Sequence, residues 1–447
     1  FSNGPHQGKD VFIPMSAVIG GQAMIAQGWS MLMESLSIGR GVSLPSLSLA
    51  GVEISLKTSL EYALIRKQFK QSLYRFQGVA EKLVSMAADT LTMKAMSNFH
   101  LNLLDQGLNP SVSSAILKYH HTELLRTNIN HAMDIHGGKT VMLGQRNYLS
   151  DIYQVVPITI TVEGANILTR CMIIFGQGFI RCHPFLKDEL ESLEKKDTVL
   201  FNRLLGHHLA HIIGVKIKSF VFAISGSRLA KAPKGVKGFE KNNYQHLATL
   251  SASFAFLVEI VLMKFGPKIK FQESVNGLFS DLLIKMYSIS VLLKYRQVLD
   301  NDFDDLIRWS LQRQVHQSQV LLSDICDQLN FSLVFRWIVL PRGVNQPLPS
   351  VKLQNKVVNQ LINNPNLKDT LTSDVLHVKD SALDILDQAY TLAVEAEKIY
   401  KRIGYVDSYE AIDALLDKQQ ISTDEHQLLL SLTELRRKIL AVDDYEH

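Results

Sequence analysis

The stretch Thr159–Arg170, TITVEGANILTR, decides how this chain is read. It sets one carboxylate, Glu163, among β-branched and apolar residues, with glycine directly after it. The next cation, Arg170, is almost two helical turns on. A carboxylate in dry surroundings resists ionisation, so its pKa rises towards neutrality. That poises a general base to remove a proton from carbon. The same residues can also be read as a glutamate at a helix start, stabilised by free N–H groups and the helix dipole.

Outward from this stretch the periodicity is helical. Met31, Leu32, Leu36 and Ile38 begin an apolar face, and Leu56, Leu60, Ala63, Leu64 and Phe69 continue one. A helix is predicted from Gln77 to Leu104, broken by Asp105, Gly107, Asn109 and Pro110. The next runs from Ser111 to Ile135 and stops at Gly137–Gly138. A helix pair spans Gln145 to Phe179, with Pro157 separating its pieces. Four long helices with short breaks predict an all-α fold, a four-helix up-down bundle over residues 26–182. Residues 1–25 are rich in Gly and Pro, and Asp10–Pro14, DVFIP, reads as the end of a strand, the close of a β-domain and its linker. His183–Pro184 marks a boundary. Residues 183–447 read as a mostly helical extension, with helices near 186–225, 243–265, 275–299, 304–329, 380–402 and 422–442 and an extended connection at about 341–379.

Of the 447 residues, 46% are hydrophobic and 20% charged, enough for a sizeable core and about three domains by length. The net charge of +4 is mild, and Lys and Arg are mixed with acids, which excludes a nucleic-acid footprint. Cys171, Cys182 and Cys326 form no CxxC pair and fit a reducing compartment. The chain opens on Phe1 without the features of a signal peptide, and reads as an internal piece of a longer polypeptide.

Four pieces then fall into one order: LSIGRG at Leu36–Gly41, YALIRKQF at Tyr62–Phe69 followed by Gln77, MDIHGG at Met133–Gly138, and VEG at Val162–Gly164. Together they resemble the C-terminal helical domain of the acyl-CoA dehydrogenase family. Residues 183–447, with YQHL at Tyr244–Leu247 and VDDYE at Val442–Glu446, resemble the extension of the large bacterial members that act in fatty-acid β-oxidation. The resemblance implies FAD as cofactor, a fatty acyl-CoA substrate oxidised to the trans-2-enoyl-CoA, an electron-transfer flavoprotein as partner, and a homo-oligomer. It makes Glu163 the base that takes the α-proton, with Val162 and Gly164 beside the substrate and Arg40 near its CoA moiety. Arg66, Gln68 and Phe69 match the RxxFG motif that reaches the FAD of a neighbouring subunit, and arginine suits a pyrophosphate because its fork bonds two oxygens. Lys70 stands in place of the motif's glycine. Gln77 matches a glutamine that meets the same flavin nucleotide, and Gly137 and Gly138 match a glycine pair beside the FAD phosphates. Asp134 stands where glutamine is usual and would repel a pyrophosphate. Val162 replaces an aromatic, and Ala165 and Ile167 replace polar flavin contacts.

His207, His208 and His211 lack a nearby acid motif, so no metal site is expected. The rival reading is a catalytically silent assembly or membrane-docking module. It rests on the apolar run Leu247–Phe265, read first as a buried core helix and otherwise as a membrane-facing one, and on the basic linker Lys231–Asn243, read first as a solvated loop and otherwise as a contact for anionic lipid or phosphate. A cytoplasmic protein, peripheral at the inner membrane, accommodates both.

Overall fold

The structure, a computed structural model, describes residues 4–144, 146–179 and 183–441. Gln145, Cys182 and Val442–Glu446 lie outside the described residues. The N-terminal half is carried by α1 (Gly28–Arg40), α2 (Ser43–Ile65), α3 (Gln77–Asp105), α4 (Ser111–His136) and α5 (Ser150–Thr159). The next helix, α6, opens as the α-helical turn Asn166–Leu168 and runs on as a π-helix, Thr169–Gln177. Between α2 and α3 stands a hairpin of β1 (Lys67–Gln68) and β2 (Gln71–Ser72), paired antiparallel with Gln68 opposite Gln71. The predicted all-α class and the limits of α3 and α4 agree with these elements.

Three expectations are corrected. Asp10–Pro14 is not assigned as a strand among the described residues, and Phe12 is 90% exposed. Pro157 does not divide the helix pair but sits inside α5, in its last turn; the break falls at residues 160–165. The connection at 341–379 is not extended throughout. It holds α13 (Val351–Asn363) and α14 (Pro365–Leu371). Pro365 occupies the first position of α14, where its missing N–H costs nothing, and Ser350 caps α13 by accepting from Leu353 N. The prolines there frame helices.

The extension before and after that segment supplies α7 (Leu186–Glu194), α8 (Thr198–Ile224), α9 (Gly238–Phe265), α10 (Glu273–Tyr295), α11 (Asp304–Gln328), α12 (Leu333–Val339), α15 (Ala382–Ile403), α16 (Tyr409–Asp417) and α17 (Thr423–Leu440). The predicted helix at 186–225 is therefore two, α7 and α8.

Bundle and extension share one hydrophobic cluster, running from Val52 to Ile439. Phe279 of α10 stacks on Phe175 of the π-helix with centroids 4.6 Å apart and meets Phe254 of α9 edge-on. They also share charges. Glu53 and Glu61 of α2 are fully buried. Glu53 pairs with Lys94, which reaches Asp374; Glu61 pairs with Lys57 and with Lys368 of α14. Burial pushes the Glu61 carboxyl up to about 7, against the pull of those two lysines. The segment expected to be a loose connection thus carries a counter-ion for the bundle core.

Candidate functional site

Glu163 sits in the turn between α5 and α6, with φ of 56°, and Gly164 follows at 100°. Glycine takes the second of these two positive-φ positions without penalty, while the first holds Glu163 under strain. The turn is kept in place by its carbonyls. Arg40 Nε donates to Glu163 O at 3.1 Å. Lys118 Nζ donates to Gly164 O at 2.7 Å and to Asn166 Oδ1 at 2.6 Å, and Thr169 Oγ1 also donates to Gly164 O. Asn166 is fixed in turn by Thr122 and Glu123. Among the described residues the Glu163 carboxylate makes no ion pair, and its Oε2 is enclosed without a hydrogen bond. The amide N–H groups of Glu163 and Gly164 have no acceptor among the described residues.

The surroundings differ from the sequence expectation in one respect. No cation is near in sequence, yet folding brings Arg40, at the end of α1, and Lys118, in the second turn of α4, close enough for their charges to bear on Glu163. Lys118 is fully buried, and burial lowers its amine to about 8 although the Glu163 charge opposes this. Arg40 Nε bonds to the Glu163 carbonyl and Lys118 to the Gly164 carbonyl and the Asn166 side chain, and neither pairs with the carboxylate. Arg170 turns away and holds Asp281 of α10 with both arms of its fork, at 3.0 and 2.6 Å. Gly277 makes room for it, since a Cβ there would lie 2.5 Å from its Nη1. Gly41 has a like role: its missing Cβ would lie 2.1 Å from Nε2 of buried His100, beside Arg40.

The second group of predicted residues lies at the other end of the bundle. Tyr62 of α2 stacks on His136 of α4 at 4.4 Å, which places Arg66 and Gly137 at the same end. Lys118 and His136 are separated by about 27 Å along α4, at 1.5 Å per residue. Phe69 and Lys70 form the two-residue hairpin loop, at φ 49° and 63°, as a type I′ turn requires. Lys70 therefore adopts a conformation that favours glycine, and the turn survives the replacement. Phe69 is 89% exposed, and Gln68, Gln77, Gly137 and Gly138 are exposed as well. The Arg66 guanidinium lies 2.7 Å from the Gln68 amide oxygen. A single carboxylate from the extension, Glu397 of α15, holds the hairpin by pairing with Lys67 and with Arg75 at 2.7 Å. Val162 is half-buried beside Glu163, Ala165 and Ile167 are exposed, and so is Asp134.

Residues 180–445 match the family described as "Acyl-CoA dehydrogenase, C-terminal, bacterial type", and residues 26–175 match "Acyl-CoA dehydrogenase, C-terminal domain". The chain belongs to the acyl-CoA dehydrogenase family. It is similar to acryloyl-CoA reductase (NADH) of Anaerotignum propionicum, 29% identical over 37% of this chain and 40% of the relative. It is also similar to the caffeyl-CoA reductase-Etf complex subunit CarC of Acetobacterium woodii, 28% identical over 29% of this chain and 33% of the relative. The chain thus spans less than half the length of these relatives. Its fold is shared with an acyl-CoA dehydrogenase from Bacillus anthracis solved with FAD: TM-score 0.58, 16% identity, covering 77% of this chain and 57% of that one.

One cluster in this member of the family escaped the sequence reading. Glu259 of α9, 2% exposed, receives His183 at 3.1 Å and His208 at 3.0 Å, with His211 at 3.6 Å. His208 also meets Glu189 through Nδ1 at 2.9 Å. The acid that the histidines lack in sequence arrives from α9, 51 positions beyond His208. The three ligand atoms of His183, His208 and Glu259 lie within 4.8 Å of one another, a spacing a metal could use. The hydrogen bonds favour protons instead. Nδ1 of His183 accepts from the N–H groups of Phe185 and Leu186, so a neutral ring carries its proton on Nε2, facing Glu259. Burial opposes charge on His208, but the bonds to Glu259 and Glu189 outweigh it and raise its pKa. Lys118, Asn166 and Thr169 were likewise missed, since in sequence they are ordinary helix residues.

Proposed function

We propose that the full-length protein is an FAD-dependent dehydrogenase of fatty-acid β-oxidation that converts a fatty acyl-CoA to its trans-2-enoyl-CoA, with Glu163 as the base. The observation that carries this reading is the enclosed, unbonded Oε2 of Glu163. The α C–H bond breaks towards that oxygen, and the electron pair released forms the α,β double bond as the β-hydrogen leaves. The N–H of Glu163 is the donor proposed for the thioester oxygen as negative charge develops there. Arg40 and Lys118 keep the turn in its strained form, so neither donor nor base must be reorganised during the reaction.

FAD, when bound, would accept the β-hydrogen as hydride. The residues at the hairpin end fit its pyrophosphate. Arg66 offers a guanidinium there. The first N–H groups of α3, at Gln77 and Gly78, have no side-chain cap, and a Cβ at Gly78, Gly137 or Gly138 would meet nothing. These residues lie a bundle length away from Glu163, which supports their serving the flavin of a second subunit in a homo-oligomer. An electron-transfer flavoprotein is proposed to take the electrons onward, in line with the Etf complex named for CarC.

The test is Glu163→Gln in the full-length enzyme. Turnover should fall ~10²–10⁴-fold, the usual worth of a general base, with flavin content unchanged. Near-normal turnover removes Glu163 from the role.

A further inference from the structure

We infer that the outer face of α8 docks the protein on an anionic lipid surface. The apolar run Leu247–Phe265 is a core helix, not a membrane-facing one: in α9, Leu250, Phe256, Leu257 and Val261 are buried. Its neighbour carries the open face. Leu205, Leu209, Ile213, Ile217 and Ile224 recur at helical spacing along α8, and Leu209, Ile213 and Ile217 are 54–60% exposed. The inward face is taken by His208, Val215 and Ser219, all buried. The apolar stripe therefore points away from the protein, the reverse of a surface helix that feeds a core. It is extended by Trp337 of α12, half exposed and in ring contact with Phe220 at 4.8 Å. An indole at the rim of an aliphatic face suits a lipid interface, where one edge is wet and the other dry.

Charge selects the occupant. Between residues 198 and 238 there are seven Lys and Arg and no Asp or Glu. All seven are exposed, and among the described residues none makes an ion pair. Lys216 and Lys218 flank the stripe, and Lys231, Lys234 and Lys237 follow in the loop after the helix. Two copies of this face would oppose like charges across a two-fold axis, so it is poorly suited to self-association. Aliphatic side chains ringed by unpaired cations suit an anionic bilayer: the stripe enters the acyl boundary and the lysines meet headgroup phosphates. This inference does not depend on Glu163.

The experiment is flotation of full-length holoenzyme with vesicles of phosphatidylethanolamine and phosphatidylglycerol, and with phosphatidylcholine alone. The protein should float with the anionic vesicles and at least about tenfold less with the neutral ones, given the number of cations. Leu209→Glu/Ile213→Glu/Ile217→Glu should stay unbound while keeping its flavin and its turnover of a short, soluble acyl-CoA. Lys216→Ala/Lys218→Ala should bind anionic vesicles about tenfold or more weakly and neutral ones unchanged. Wild type that remains unbound with anionic vesicles overturns the inference, as does a triple variant that floats like wild type. A triple variant that sediments as a smaller oligomer also overturns it, making the face a subunit interface.

Discussion

Glu163 and Glu259 are the same side chain in opposite circumstances. Glu163 has an enclosed oxygen with no partner, while two nearby cations bond to carbonyls of its own turn. Glu259 is surrounded by three imidazoles. Burial alone does not make a carboxylate a base. A base needs its lone pairs unused, and of these two it is Glu163 that has one, as its proposed role requires. Glu259 has the better-satisfied site and therefore the less reactive group, suited to holding α7, α8 and α9 together.

The largest effect should come from exchanging the two roles. Glu163→Gln should raise the barrier by about 3–5 kcal/mol, the equivalent of its ~10²–10⁴-fold rate loss, and leave thermal unfolding almost unmoved. Glu259→Ala should do the reverse. It leaves His208 and His183 without their central acceptor and should cost about 3–5 kcal/mol of stability, read by denaturant unfolding. Turnover per folded molecule should stay within about threefold, because no substrate step uses it. Loss of catalysis in this variant, with the fold intact, would break the contrast.

Smaller effects sharpen it. Lys118→Met removes two charge-assisted bonds from the Glu163 turn and should cost about 1.5–3 kcal/mol in all, because relief of a buried ammonium offsets part of their loss. Because the strained turn then relaxes, kcat should fall more than KM rises. An unchanged kcat would mean the turn holds its shape without the lysine. The smallest effect is in pH. His208 is raised above 6.5, so its support is complete below about 6.5 and fades as pH climbs through the raised value. Burial works against the charge on Glu259, but its histidine bonds hold it below 4.5, so its support fades only as pH drops through that lowered value. His211, lowered chiefly by burial, pulls the optimum slightly upward. Glu189→Gln should therefore lower the melting temperature most between pH 5 and 6.5, on the order of 1–2 °C, with the gap to wild type narrowing by pH 8.

Local signals carried much of the fold. Gly137–Gly138 ended α4 in sequence as in space, and the breaker cluster after Leu104 closed α3 within a residue. Pattern failed where tertiary context decided. The prolines of 341–379 look like linker until Ser350 and Pro365 are recognised as helix starts. The site divides the same way. Glu163 and Gly164 were legible from their own short stretch. Lys118 was not, because its amine acts 46 positions away and a lysine in a helix ordinarily faces water. The histidine cluster was invisible for the same reason, its acid being supplied from another helix.

The pairing of α14 with the bundle core has a consequence for anyone cutting the gene. A fragment ending near residue 340 would lose Lys368, stranding Glu61 in oil with part of its neutralising charge gone, and would take from buried Glu53 the Asp374 backbone N–H that it accepts. The hairpin, deprived of Glu397, would come adrift as well. The two halves should melt as one event, and the bundle helices are not a module to be borrowed alone.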